Sequence, residues 1–130
     1  MIQKSHFSGL TCLLLAPLAA WSHHSPTMFD GETIVTLIGT VREFQWTNPH
    51  SYIQLVVESE DGTEQEWSVE MGANVYLYNL GWRPSTVKPG DVLTVTVLPL
   101  RNGEPGGLLM EAVNEAGEVL RGSRTDSRSS

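Results

Sequence analysis

The chain has 130 residues, with 15 acidic side chains against 8 basic ones and a net charge of −7. That balance disfavours nucleic acid as a partner, because phosphate affinity needs clustered Lys and Arg. A single cysteine, Cys12, excludes a disulfide-stapled scaffold, so stability has to come from a hydrophobic core.

The first segment reads as a secretory signal: Lys4 near the start, an apolar run from Leu10 to Ala20, and small residues at a cleavage site. The run is shorter than the roughly 20 residues that cross a bilayer and contains Pro17, so no stable membrane insertion is expected after cleavage. A cut after Ser22 is preferred, since Ala20 and Ser22 then fill the two small-residue pockets of the peptidase. A cut after Ala20 is the alternative, with the larger Leu18 in the first pocket. Either cut removes Cys12 and implies a periplasmic or secreted product. The division is a signal peptide over 1–22, one domain over 23–121 and a tail over 122–130 with the composition of a disordered segment. Without Lys4, seven basic residues face fifteen acidic ones in the mature chain.

Thr33 to Phe44 alternates as a strand, with Val35, Leu37, Gly39 and Val41 on one face. Phe44 and Trp46 break that phase, which predicts a bulge or coil near Arg42 and Glu43 in a long strand shared between two halves of a curled sheet. Thr47-Asn48-Pro49 is a turn. A second strand runs from about Ser51 to Glu58 with Ile53, Leu55 and Val57 inward, and Asp61-Gly62 supplies a hairpin signal. The third strand puts Trp67, Val69 and Met71 inside and Glu66, Ser68 and Glu70 on a wet face. From Ala73 to Leu80 the period becomes helical, and Gly81 is placed to end it. Lys88-Pro89-Gly90-Asp91 turns into a fourth strand, Val92 to Leu98, with Leu93, Val95 and Val97 inward. Residues 101–107 read as a glycine-rich loop, Leu108 to Val113 as a fifth strand and Glu118 to Leu120 as a short sixth. This order, β-β-β-α-β-β after a long bent first strand, predicts a mainly β fold: a small OB-like Greek-key barrel. A plain sandwich or open barrel is the alternative.

The histidines left after cleavage are His23, His24 and His50. With the preferred cut, His23 offers an α-amino nitrogen and an imidazole to one metal ion. His24 or His50 would complete a nitrogen-rich set, and such ligands in tetragonal geometry favour Cu(II). With the other cut, His23 becomes the third residue, which also suits Cu(II) or Ni(II). The plainer reading is a solvated terminus whose histidines bind nothing and a His50 that packs at a strand start. Met28 and Met71 could add a thioether ligand or simply fill the core. Trp46, Asn48, Tyr52, Trp82 and Arg83 are the candidate ligand or partner contacts, Trp46 because it lies in the sharp segment before Pro49 and Arg83 as an isolated cation. Trp67 is expected in the core. The acidic residues around the hairpin, Glu58 to Glu70, read as a solvated face. There is no Gly-x-Ser-x-Gly, and the 103–107 glycines precede a strand where a phosphate cradle needs a helix. No catalytic residue is assigned, and a non-enzymatic role is favoured.

His23-His24-Ser25 with Met28-Phe29-Asp30, Gly39-Thr40-Val41, Phe44-Gln45-Trp46-Thr47-Asn48-Pro49-His50, Gly81-Trp82-Arg83 and Pro89-Gly90-Asp91 together resemble the exported bacterial proteins grouped as domain of unknown function 6152. The resemblance spans nearly the whole mature chain. It implies a short exported β domain and carries no established activity. Three functions follow in order: an exported binding module that takes copper through His23, His24 and His50; an accessory domain that docks an exported protein or a glycan through exposed aromatics; and a small copper-dependent oxidoreductase.

Overall fold

The computed structural model describes residues 28–122. The expected signal peptide, His23, His24 and residues 123–130 lie outside the described residues. The elements run β1 (Val35–Gln45), β2 (Tyr52–Glu58), β3 (Glu64–Glu70), α1 (Asn74–Asn79), β4 (Val92–Pro99), β5 (Gly106–Asn114) and β6 (Val119–Arg121). The hydrogen-bonded order is β3-β2-β1-β4-β5-β6, and a further parallel pairing of β3 with β5 closes five of the strands into a barrel. A helix between β3 and β4, together with this strand order, makes it a Greek-key barrel of the OB type.

β1 is long enough to pair with β4 through its first half and with β2 through its second. The expected slip is there: Val41 faces Leu55 and Glu43 faces Gln54, so Arg42 is the extra residue of a bulge that bends the strand between its two partners. The inward residues follow the sequence alternation. Val41, Ile53, Leu55, Val69, Met71, Leu93, Val95, Val97 and Leu109 are buried in one core. Among aromatics the order differs from expectation. Trp67 faces that core but is only partly buried, whereas Trp82, expected as a partner contact, is fully buried. Its ring packs near Phe44 at 5.9 Å, and its Nε1 donates to the Arg121 carbonyl at 2.8 Å, so the indole is satisfied without ligand.

α1 spans six residues, buries Leu77, and ends as predicted at Gly81, whose φ of +97° suits a residue without Cβ. Two boundaries need correction. Gly106 and Gly107 belong to β5, paired with Ser68 and Val69 across the closing seam. Gly122 is not the head of a tail, because it is buried and its N–H donates to the Met110 carbonyl at 2.8 Å. At Gly107 a Cβ would come within 2.6 Å of the Leu98 carbonyl oxygen, a backbone atom that cannot turn aside.

Gly107→Ala should therefore cost about 1–3 kcal/mol in a urea melt, the range for forcing extra atoms into a packed site. Trp82→Ala should cost about 3–5 kcal/mol, as for other emptied aromatic sites, and more than Trp67→Ala. Wild-type stability in Gly107→Ala would contradict a seam closed at this residue.

Candidate ligand-binding site

The segment between β1 and β2, Trp46 to Ser51, is held by amides from two directions. Asn48 Oδ1 accepts from the Asn74 backbone N–H at 3.1 Å, and so does the work of a helix cap that Ala73 has no side chain to do. The Asn74 side-chain amide is oriented so that its nitrogen donates to the Thr47 carbonyl at 2.9 Å and to Ser51 Oγ at 2.8 Å. Its oxygen accepts from Trp46 Nε1 at 3.2 Å. Ser51, fully buried, also donates to the Thr47 carbonyl, and Thr47 Oγ1 donates to the His50 carbonyl at 2.7 Å. Trp46 is half-buried edge-on to Phe44, with ring centroids 5.8 Å apart.

This bracing delivers His50 to Glu70. The His50 Nδ1 atom lies 2.7 Å from Glu70 Oε1. The carboxylate oxygen is off the line of the ring N–H, so this buried nitrogen has proximity but no directed hydrogen bond. The His50 side chain is 38% exposed, and that surface belongs to its other atoms, because Nδ1 itself is out of reach of water. Glu70 is only 7% exposed, which corrects its expected place on a wet face. The cause is the barrel seam: Glu70 is the last residue of β3 and is flanked by Tyr52 on β2 and Leu108 on β5. Tyr52 stands opposite the same residue in the strand register. Burial pushes the Tyr52 hydroxyl above its ordinary value, and the neighbouring Glu70 carboxylate adds to the rise.

The remaining expected contacts divide. Arg83 is exposed, stacked over Tyr78 with its guanidinium carbon 3.5 Å from the ring centre, and its Nη1 donates to the carbonyls of Tyr78 and Trp82 at 3.0 and 2.6 Å. It caps the end of α1, some of its donors being spent there. Asn48 is likewise occupied as a brace. Tyr52 and His50 come together through Glu70, which the sequence reading passed over. Met71, a candidate thioether ligand, is fully buried in the core. Among the described residues no group of three or more His, Cys, Asp or Glu side chains converges to hold a metal ion. His50 is thus the one imidazole the barrel itself contributes.

The family model for a family of unknown function (DUF6152) matches residues 12–111. The chain belongs to the DUF6152 family. No curated protein matches it. A solved structure to which this DUF6152 chain is similar is the mitochondrial single-stranded DNA binding protein Rim1 of S. cerevisiae. The two share 11% identity, with 70% of this chain and 96% of that one covered and a TM-score of 0.48. No helix among the described residues of this DUF6152 member is long and apolar enough to cross a membrane.

The raised Tyr52 value sets a measurable window. The folded state holds this proton more tightly than the unfolded chain, whose tyrosine titrates near 10.0. Its contribution to stability is full below that pH and is lost as pH rises through the folded value. Absorbance titration should show a tyrosine component ionising above the ordinary value, and Tyr52→Phe should delete it. Survival of that component in Tyr52→Phe would mean that Tyr52 is not the perturbed group.

Proposed function

We propose that the chain is an exported, non-enzymatic binding module, periplasmic or secreted, that takes Cu(II) with His50 as the ligand fixed by the barrel and His23 and His24 as its partners. The observation that carries this reading is the His50–Glu70 proximity: an imidazole with Nδ1 2.7 Å from a buried carboxylate and its side chain 38% exposed. Metal-binding histidines commonly have a carboxylate beside the nitrogen that does not bind the metal. The location also supports it, since the β1–β2 loop and the β2–β3 face are surfaces on which OB-type barrels carry ligands. On this barrel the face bears Glu58, Glu64, Glu66 and Glu70, which suits a cation better than a polyanion.

Copper would supply Lewis acidity and a one-electron couple; the chain's own residues hold it and orient its ligands.

The second reading, docking of an exported partner protein or a glycan, rests on α1. There Tyr76 and Tyr78 stand 68% and 56% exposed beside Val75.

Titrating Cu(II) into protein that begins at His23 should give one strong equivalent, with an electron-spin spectrum of nitrogen ligation. His50→Ala should lower the affinity at least about tenfold, and one extra residue ahead of His23 should lower it as well by displacing the primary amine. Unchanged affinity in His50→Ala would leave the copper on the terminus alone and move the docking reading to first place.

A further inference from the structure

A sheet edge without a partner runs along the first half of β1. β4 takes one side of that strand from Val35 to Thr40, but β2 takes the other side only from Thr40 onward. Just ahead of Thr40, Gly39 still presses on β2, where a Cβ would come within 2.6 Å of the Val56 carbonyl oxygen. From Ile34 to Ile38 no strand among the described residues lies alongside, and Ile34 and Ile38 stand 67% and 64% exposed. Unpaired amides and carbonyls along a strand are a template for another strand, and proteins ordinarily blunt such edges with charge or proline. Other unpaired edges of this barrel follow that rule. Glu64 and Glu66 guard the start of β3, Arg42 and Glu43 the second half of β1, and Glu118 and Arg121 flank β6. The Ile34–Ile38 edge has no such guard, since neither a charged residue nor a proline occurs from Thr33 to Val41. Its β-branched and aliphatic run is the composition of a strand that pairs.

The run is also symmetric about Thr36. Ile34 mirrors Ile38 and Val35 mirrors Leu37, so two copies paired antiparallel about that residue set isoleucine beside isoleucine on the outer face and Val35 beside Leu37 on the inner one. Thr36 meets its own counterpart on the two-fold axis. We propose that this edge is a homodimer interface, in which the β1 strands of two copies pair antiparallel and join the two β4-β1 sheets into one. Charge favours a second copy here over any other place: the chain carries 15 acidic residues against 8 basic ones, so copies repel over most of their surface but not along an uncharged edge. Area sets the strength. A seam from Ile34 to Ile38 is only about 17 Å long, too short to bury the roughly 1,600 Å² of a standard interface, so the dimer is a readily reversible one. Association stops at two, because the pairing is isologous and consumes the uncharged edge. The inference rests on strand register alone and holds with or without copper.

Sedimentation of the chain beginning at His23, from micromolar to millimolar concentration, should show a monomer–dimer equilibrium. Both isoleucines are exposed, so Ile34→Lys combined with Ile38→Lys should leave the urea melt near wild type. The same pair should weaken the dimer at least about tenfold, because the antiparallel register sets lysine beside lysine. Mixing that variant with Ile34→Glu combined with Ile38→Glu should restore a dimer containing one chain of each kind. A cysteine cross-link reads the register and serves if the lysine variant fails to fold. The chain from His23 has no cysteine of its own, since Cys12 lies ahead of it. Oxidised Thr36→Cys should therefore form a covalent dimer, the two α-carbons standing about 5 Å apart across the axis. Thr40→Cys, exposed but already paired with β2, should not. A monomer at every concentration would overturn the proposal, leaving the edge open or covered by the chain's own terminal residues. So would a dimer that survives the paired lysines, or one that cross-links at position 40 and not at 36, since either places the contact on another face.

Discussion

A seam only three residues long, Ser68 to Glu70 lying parallel to Gly106 to Leu108, turns a curled sheet into a barrel. Backbones approach so closely there that a side chain on Gly107 would strike the Leu98 carbonyl. Closure hides Val69, Val97 and Leu109 from water, and the apolar area thus removed is the main driving force for a chain without disulfides. β5 then runs past the end of β3, and β6 takes up the edge that β3 leaves open. The same seam fixes the chemistry of the outer face. Because Glu70 is the final rung, it is hemmed in by strands on both sides and covered by the loop above it, so a carboxylate that alternation would put in water is withdrawn from it.

Much of this architecture is legible in the residues. Alternation located β1 to β4, and the phase break after Val41 announced the bulge at Arg42. Gly81 marked the end of α1, and Gly90 sits in its turn with a φ of +94°. What escaped has a common cause: side-chain periodicity says nothing where there is no side chain. Gly106 and Gly107 carry no inward or outward pattern, and their strand role comes from partners nearly forty residues away. Trp82 follows a helix end, outside any repeat, so its burial is decided by the Arg121 carbonyl that meets its indole.

The site divides along the same line. His50 stood out because histidine is scarce here and because a Trp-Thr-Asn-Pro-His run is unusual. Glu70 did not stand out, being one of several glutamates around a hairpin, and only barrel closure separates it from Glu66, which remains exposed and paired with Arg42 at 2.6 Å. Asn48 has the look of a contact residue in the sequence and is an internal brace in the fold. Tyr52 joined the site through strand register, as the residue opposite Glu70.

The bracing of the 46–51 loop by Asn74 has a bearing on inheritance and on engineering. The two asparagines are 26 positions apart, yet each completes what the other leaves open: one caps the helix for the loop, the other ties the loop to the helix. A lineage that changes one is under pressure to change its counterpart, so the pair should drift together while the exposed tyrosines of α1 vary independently. For the same reason the Trp-Thr-Asn-Pro-His stretch is not a portable cassette. Grafted onto another barrel without a helix starting at the matching place, it would carry the histidine along but not the direction in which that histidine points.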